Sequence, residues 1–167
     1  IPNGLGKPIQ DVSTKHSHNP GVMAGLVEQE SAFNSNATSP VGAKGLAQIM
    51  QPALTDYNRA NGTSFTMSDM NDSATNLEVG GWYLRHLQDK FFNGDLKMAL
   101  YAYNFGIGNV RRSMQATGLP YMQPVTDSRG RVTYVPNEEA MRYAPGVMKR
   151  AAKYGYIDAL RDPLTHR

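Results

Sequence analysis

The chain has 167 residues, the size of one domain, and that length buries most of its unfolded surface without covalent staples. Its 17 Lys and Arg against 14 Asp and Glu leave a net charge of +3, too small an excess for the dense basic stripe of a dedicated nucleic-acid binder. Cysteine is absent, which excludes disulfides, thiolate metal sites and cysteine nucleophiles. No apolar run of about 18 residues predicts a membrane span, and the opening Ile-Pro-Asn-Gly-Leu-Gly shows no signal-peptide pattern.

In chain order, residues 8–17 predict a short helix opened by Pro8, with Ile9 and Val12 on one side. Asn19-Pro20 is a helix start, a capping side chain followed by a proline suited to the first helical position. The helix it opens is expected to run from Gly21 to Phe33. Residues 34–46 read as a loop, with a further helix beginning between Gly45 and Met50. Pro52 opens a helix stopped by Asn61-Gly62, and 62–73 reads as loop. Leu77, Leu84, Leu87 and Phe91 share helical spacing from about Ala74 to Phe92, and Gly80-Gly81 inside that pattern predicts close approach of another backbone. Asp95 caps a helix to Tyr103, and Gly106 and Gly108 flank a turn into another that ends near Gly118. Residues 119–136, with Tyr and Val around Asp127-Ser128-Arg129-Gly130, predict a β-hairpin or flap. Asn137 caps a last helix to about Tyr154, which Pro145 is expected to kink or to delay. The expected whole is a single mainly α domain over 1–167 with one small β excursion, and 158–167 as a frayed tail.

The segment after Asn19-Pro20 carries a chemical signal. At about 100° per residue, Val22, Met23, Leu26, Val27 and Phe33 share a face. Glu30 falls in the middle of that apolar stripe, and Glu28 falls opposite, toward solvent. A carboxyl in an apolar wall keeps its proton, its pKa rising from about 4.3 toward roughly 6, as a general acid near neutral pH requires. By itself the position also fits a carboxylate paired with an arginine or capping a helix end.

The order of residues around Glu30 resembles the soluble lytic transglycosylases, bacterial and phage enzymes that cleave peptidoglycan glycan strands. Glu30-Ser31, Phe33-Asn34 and Ser39-Pro40-Val41-Gly42-Ala43-Lys44-Gly45-Leu46-Ala47-Gln48-Ile49-Met50 match the opening block of that family. Asn76-Leu77 with Gly80, Tyr83 and Leu84 resembles a second block, and Ala102-Tyr103-Asn104-Phe105-Gly106-Ile107-Gly108-Asn109-Val110 a third. Glu139 and Tyr143 resemble the closing block, so four blocks stand in order over roughly residues 20 to 156. Among the departures, Ala47 stands where methionine is usual, which predicts a less bulky sugar-facing wall.

The resemblance implies a lysozyme-like α+β fold and one catalytic acid, matched here by Glu30. In that reading Glu30 protonates the oxygen joining N-acetylmuramic acid to N-acetylglucosamine. It then takes the proton of the C6 hydroxyl, which attacks C1 and leaves a 1,6-anhydro end, with no second carboxylate as partner and no metal or organic cofactor. Ser39, Gln48, Met50, Tyr103, Asn104, Glu139 and Tyr143 are the matching substrate-binding positions. Of these, Ser39 either orients Glu30 or closes its loop, Gln48 either binds sugar or caps the following helix, and Met50 either lines a sugar face or belongs to the core. Asn104 leans toward capping the turn at Gly106, and Tyr143 is expected to touch an N-acetyl group. The implied partner is peptidoglycan, the implied location the cell envelope or a phage virion, and the implied state a monomeric domain, alone or within a larger protein.

His16 and His18 form an H-x-H pair with no third ligand nearby and read as solvated, not as a metal site. Arg111-Arg112 and Lys149-Arg150 are short basic pairs suited either to solvent or to acidic stem peptides. Two other functions stay open on the same scaffold: a muramidase that uses water, and a glycan-binding or virion structural domain without turnover.

Overall fold

The computed structural model describes residues 1, 2 and 4–155; the expected frayed tail at 158–167 lies outside the described residues. Seven α-helices follow one another as α1 (Gly6–Lys15), α2 (Pro20–Ser31), α3 (Gln51–Asn61), α4 (Ser73–His86), α5 (Leu96–Phe105), α6 (Ile107–Thr117) and α7 (Glu138–Lys153). A 3-10 turn, Met67–Asn71, precedes α4, and a π turn, Leu87–Phe91, extends it. Between α6 and α7 the strands β1 (Met122–Thr126) and β2 (Val132–Pro136) form an antiparallel hairpin, with Met122 opposite Pro136 and Thr126 opposite Val132.

The helix starts are where short polar side chains put them. Asn19 accepts from the Gly21 amide, Asp72 from Thr75, Asp95 from Met98 and Asn137 from Ala140, each satisfying a donor that the first turn leaves open. Gly106, at φ 90 and ψ 145, turns the chain from α5 into α6 in a region that only glycine enters freely. Pro145 neither delays nor ends α7, which begins directly after its Asn137 cap and runs through the proline to Lys153.

Helix α2 is not the one-sided helix its periodicity suggests. Every residue from Gly21 to Val27 is buried, so its first two turns form the centre of the molecule. It ends at Ser31, because Ala32 and Phe33 turn left-handed at φ 51 and 63; Phe33 then meets Tyr154 edge-on at 6.3 Å. Small residues let α7 cross it closely. A Cβ on Gly25 would stand 2.6 Å from the Val147 carbonyl oxygen and 2.8 Å from the Ala151 nitrogen, both backbone atoms that cannot yield. At Gly80 and Gly81 the close neighbours are side chains, not the expected backbone: Ala47 Cβ at 2.7 Å and Val12 Cγ2 at 2.9 Å.

The histidine pair is not solvated. His18 is buried, its Nε2–H directed at the Gly81 carbonyl at 2.7 Å, and burial pushes its pKa down to about 4. His16 Nε2 meets Glu78 Oε1 at 2.9 Å, beside Lys15 and the Tyr57 hydroxyl on the same carboxylate. The two imidazoles thus pin α1 to α4 through different partners. Glu28, expected toward solvent, is held against α7 by Lys153 at 2.7 Å and Arg150 at 3.7 Å. Because the α7 backbone leaves no room for a Cβ at position 25, Gly25→Ala should lower unfolding free energy by about 1–3 kcal/mol through overpacking. Urea denaturation of the variant beside the parent protein reads this directly.

Candidate active site

Glu30 stands in the last turn of α2, where the carbonyl ends of the helix disfavour a negative charge. Its carboxyl is mostly enclosed, and Oε2 accepts a 2.7 Å hydrogen bond from the Tyr143 hydroxyl on α7. Neither an arginine pair nor a helix cap accounts for it among the described residues. Burial pushes its pKa up to about 7; the Tyr143 bond works in the opposite direction, and the nearby negative charge of Glu139 adds to the rise. A second carboxylate therefore does act on Glu30, a partner that the sequence pattern does not reveal.

Tyr143 is 2 % exposed and its hydroxyl donates its hydrogen bond to Glu30, so the expected contact with an N-acetyl group is not open to that O–H. The Tyr103 ring lies parallel to that of Tyr143, with centroids 6.5 Å apart and planes at 9°. Its hydroxyl donates to the Ala47 carbonyl at 2.7 Å, which ties α5 to the segment between α2 and α3. Asn104 does not cap the turn at Gly106. Its Nδ2 reaches Glu139 Oε1 at 3.2 Å, while Asn109 Nδ2 takes the Phe105 carbonyl at 2.8 Å. Exposed Glu139 is thereby tethered at the start of α7, one helical turn from Tyr143.

The segment 37–50 folds as a braced loop. The helix expected from Gly45 does not form, because Gly45 and Gln48 adopt φ of 78 and 50 and Lys44 bridges to both Thr38 and Ile49. Besides Tyr103, side chains from α4 and α2 hold the loop. Asn76, fully buried, donates to the Lys44 and Met70 carbonyls at 2.8 Å and accepts from the Ala47 amide at 2.7 Å. Ser31 Oγ, next to Glu30, donates to the Leu46 carbonyl at 2.8 Å. Both stand in the quoted blocks, Ser31 beside Glu30 and Asn76 before Leu77, without an assigned role there; the local signal for Asn76 is a polar residue set within an apolar helical pattern. Gly45 is required here, since a Cβ would lie 2.2 Å from Asn76 Nδ2.

The remaining loop positions divide by what they touch. Gln48 commits its Nε2 to the Ala37 and Gly45 carbonyls at 3.2 and 3.0 Å, which leaves its side-chain oxygen as the group able to meet a ligand. Its left-handed backbone is a strained conformation for a side chain of that size. Ser39 closes its own loop, its Oγ accepting from the Ala43 amide at 3.0 Å. Met50 is 43 % exposed at the start of α3, an apolar side chain open to solvent rather than core. Ala47 is fully buried against Gly80, so the small residue fits the α4 approach and does not shape a sugar wall.

A profile described as the Transglycosylase SLT domain matches residues 7–120. The chain is 32 % identical over 134 residues to the soluble lytic murein transglycosylase of Escherichia coli strain K12, covering 79 % of this chain and 20 % of that protein. It is 31 % identical over 112 residues to the transglycosylase of Enterobacteria phage PRD1, covering 67 % of this chain and 38 % of that protein. Among solved structures, an inactive mutant of the lytic transglycosylase Slt from Pseudomonas aeruginosa superposes with a TM-score of 0.75 at 25 % identity, over 97 % of this chain and 25 % of that one. The 70-kDa soluble lytic transglycosylase of E. coli shares the fold with a TM-score of 0.74. The chain thus spans about a fifth of the soluble murein transglycosylases it matches.

Two measurements test the electrostatics of Glu30. Tyr143→Phe removes the bond that favours the charged form, so the Glu30 pKa should rise above about 7, as read from the pH dependence of its carboxyl carbon NMR shift. A folded-state pKa raised above the unfolded value means that ionising Glu30 opposes folding. The stability it allows is full below about pH 4.5 and declines until pH passes about 7. Glu30→Gln should therefore gain on the parent protein by up to about 3 kcal/mol between pH 4 and pH 8 in denaturant titrations.

Proposed function

Because this chain belongs to the Transglycosylase SLT domain family, we propose that it cleaves the β-1,4 bond between N-acetylmuramic acid and N-acetylglucosamine in peptidoglycan, leaving 1,6-anhydromuramic ends. The observation that carries this reading is the enclosed Glu30 carboxyl, bonded to Tyr143 and protonated up to about pH 7. Tyr143 donates to Oε2, so the acid proton belongs on Oε1. That proton passes to the glycosidic oxygen as the C1–O4 bond breaks, and the acetamido oxygen of the muramic residue closes on C1. The Glu30 carboxylate then removes the proton of the C6 hydroxyl as the O6–C1 bond forms and the C1–acetamido bond opens. The enzyme ends with the proton it began with, and no water is consumed.

In this reading the Gln48 side-chain oxygen and exposed Met50 contact the sugars, and Ser39 keeps the loop that presents them closed. Tyr103 holds that loop through Ala47, while Asn104 and Glu139 form the rim beside Tyr143. The site of action is the cell wall, with glycan strands as partner and the domain acting as a monomer.

One observation favours a second reading. Glu139 supplies a carboxylate whose charge reaches Glu30, and such a pair can serve an inverting or retaining hydrolase that delivers water to C1. Mass spectrometry of products from purified sacculi separates the two: anhydro ends support the transglycosylase, and reducing muramic ends without anhydro ends replace it with the muramidase. In either case Glu30→Gln should lose at least about 10²-fold in turnover while staying folded. The rate of the parent protein should fall on the alkaline side of about pH 7 as Glu30 loses its proton.

A further inference from the structure

The hairpin between α6 and α7 has one guarded edge and one open edge. Its two ends fix which backbone groups face inward. At the turn the Asp127 amide donates to the Arg131 carbonyl at 2.9 Å, and at the base the Asn137 amide donates to the Tyr121 carbonyl at 2.8 Å. Bonded and unbonded pairs alternate along an antiparallel ladder, so Gln123 with Val135 and Val125 with Thr133 carry the inward bonds between those ends. The outward groups therefore belong to Met122, Pro124 and Thr126 on β1 and to Val132, Tyr134 and Pro136 on β2.

The edges differ in what guards them. On β1 the Met122 amide is taken by Ser113 Oγ of α6 at 2.7 Å, and Pro124, at the centre of the strand, has no amide proton. On β2 the Val132 and Tyr134 backbone groups that face outward meet no partner among the described residues. No residue of β2 is charged, and its proline stands only at its end. Val132 is 56 % exposed on that strand. An uncharged strand with unpaired backbone groups is a template for another strand.

This edge is complementary to itself. Antiparallel pairing of two β2 strands about Thr133 sets Val132 opposite Tyr134 of the second copy, and Tyr134 opposite Val132 of the second copy. Both residues present outward groups, so each such pair exchanges both of its N–H···O bonds. The register also lays an exposed valine beside a tyrosine ring, a favourable cross-strand combination, and brings Thr133 against its own equivalent on the other face. At the strand ends it sets Arg129 opposite Asn137 of the second copy, one residue from Glu138. The Arg129 guanidinium meets no carboxylate among the described residues, since Asp127 is taken by Arg131 at 2.8 Å, and Glu138 is held only by exposed Arg142 at 3.2 Å. The charges that the register brings together are thus opposite in sign.

We propose that two copies of this domain associate through β2, forming one antiparallel sheet in the order β1–β2–β2–β1 with Arg129 of each copy beside Glu138 of the other. The contact is two-fold, and the outer edges of the joined sheet are the guarded β1 strands, so growth stops at two copies. Neither Glu30 nor Tyr143 takes part. Each copy remains a complete catalytic unit, and the inference stands apart from the reaction proposed above.

Sedimentation equilibrium of the whole chain between about 10 µM and about 1 mM should give a dissociation constant of about 0.1 mM, the weak association that a small interface supports. A monomer throughout that range overturns the proposal. The Val132 and Tyr134 amides should exchange hydrogen several-fold more slowly at the high concentration than at the low one, while the Thr133 amide, bonded within the hairpin, does not change. Equal exchange at both concentrations overturns the edge. Val132→Pro removes an outward amide but no bond of the hairpin's own ladder, and it should weaken association at least about tenfold. Arg129→Glu leaves the backbone untouched and should weaken association several-fold, and adding Glu138→Arg, which exchanges the charges, should restore it. A dimer that survives Val132→Pro, or one that the exchanged charges fail to restore, uses another surface and overturns the register.

Discussion

The bond from Tyr143 to Glu30 joins residues 113 positions apart, and most of the architecture serves to make that meeting possible. Helix α2 must run through the centre so that its last turn reaches the rim with Glu30 on the enclosed side. Helix α7 must cross it closely enough for a phenol at its second turn to reach a carboxyl. Gly25 permits the crossing, and buried Val147 and Ala151 fill the space around it. Loss of any of these moves a hydroxyl that has only a few tenths of an ångström of tolerance before its bond to Oε2 weakens.

The loop between α2 and α3 depends on a comparable economy of side chains. It carries several backbone polar groups into the interior, and each buried group needs a partner. Asn76 alone serves two of them and ties them to the Met70 carbonyl, and Ser31 and Tyr103 serve one carbonyl each. Ser31 is adjacent to Glu30, Tyr103 is stacked beside Tyr143, and Asn76 belongs to α4. The loop is therefore fixed from three helices at once, and the strained backbone of Gln48 is tolerated because its surroundings leave it no other arrangement.

What the sequence makes legible follows the range of the interactions. Helix starts at Asn19, Asp72, Asp95 and Asn137 rest on a side chain and an amide two or three residues away, and three of the four are read directly from the pattern. The hairpin likewise rests on local turn chemistry. Glu30 is legible because an ionisable residue interrupts an apolar stripe. The segment Gly45–Met50 reads wrongly as helix because its conformation is set by Asn76, some thirty residues on, through bonds that no local window contains. The histidines read wrongly as solvated for the same reason: Gly81 and Glu78 lie more than sixty residues from them. Glu139 is legible as a motif position but not as an electrostatic neighbour of Glu30, since its field depends on how α7 lies against α2.

The opposed influences on Glu30 have a chemical logic beyond keeping a proton available. In the reaction proposed above, a residue that acts first as acid and then as base is penalised by an extreme pKa in either direction: too low and it cannot protonate the leaving oxygen, too high and it gives up its proton reluctantly. Burial and the charge of Glu139 drive the carboxyl up, while the phenol of Tyr143 stabilises the carboxylate and checks the rise, so that it stands at about 7. The check comes from a neutral donor, not from a cation, which would bind the carboxylate as an ion pair and abolish its acidity near neutral pH. Arg150 and Lys153 on the same helix are directed instead to Glu28, two residues before Glu30 on α2 and on its other side. The α2–α7 interface thus sorts its carboxylates by helical face, pairing Glu28 with cations and leaving Glu30 to a phenol.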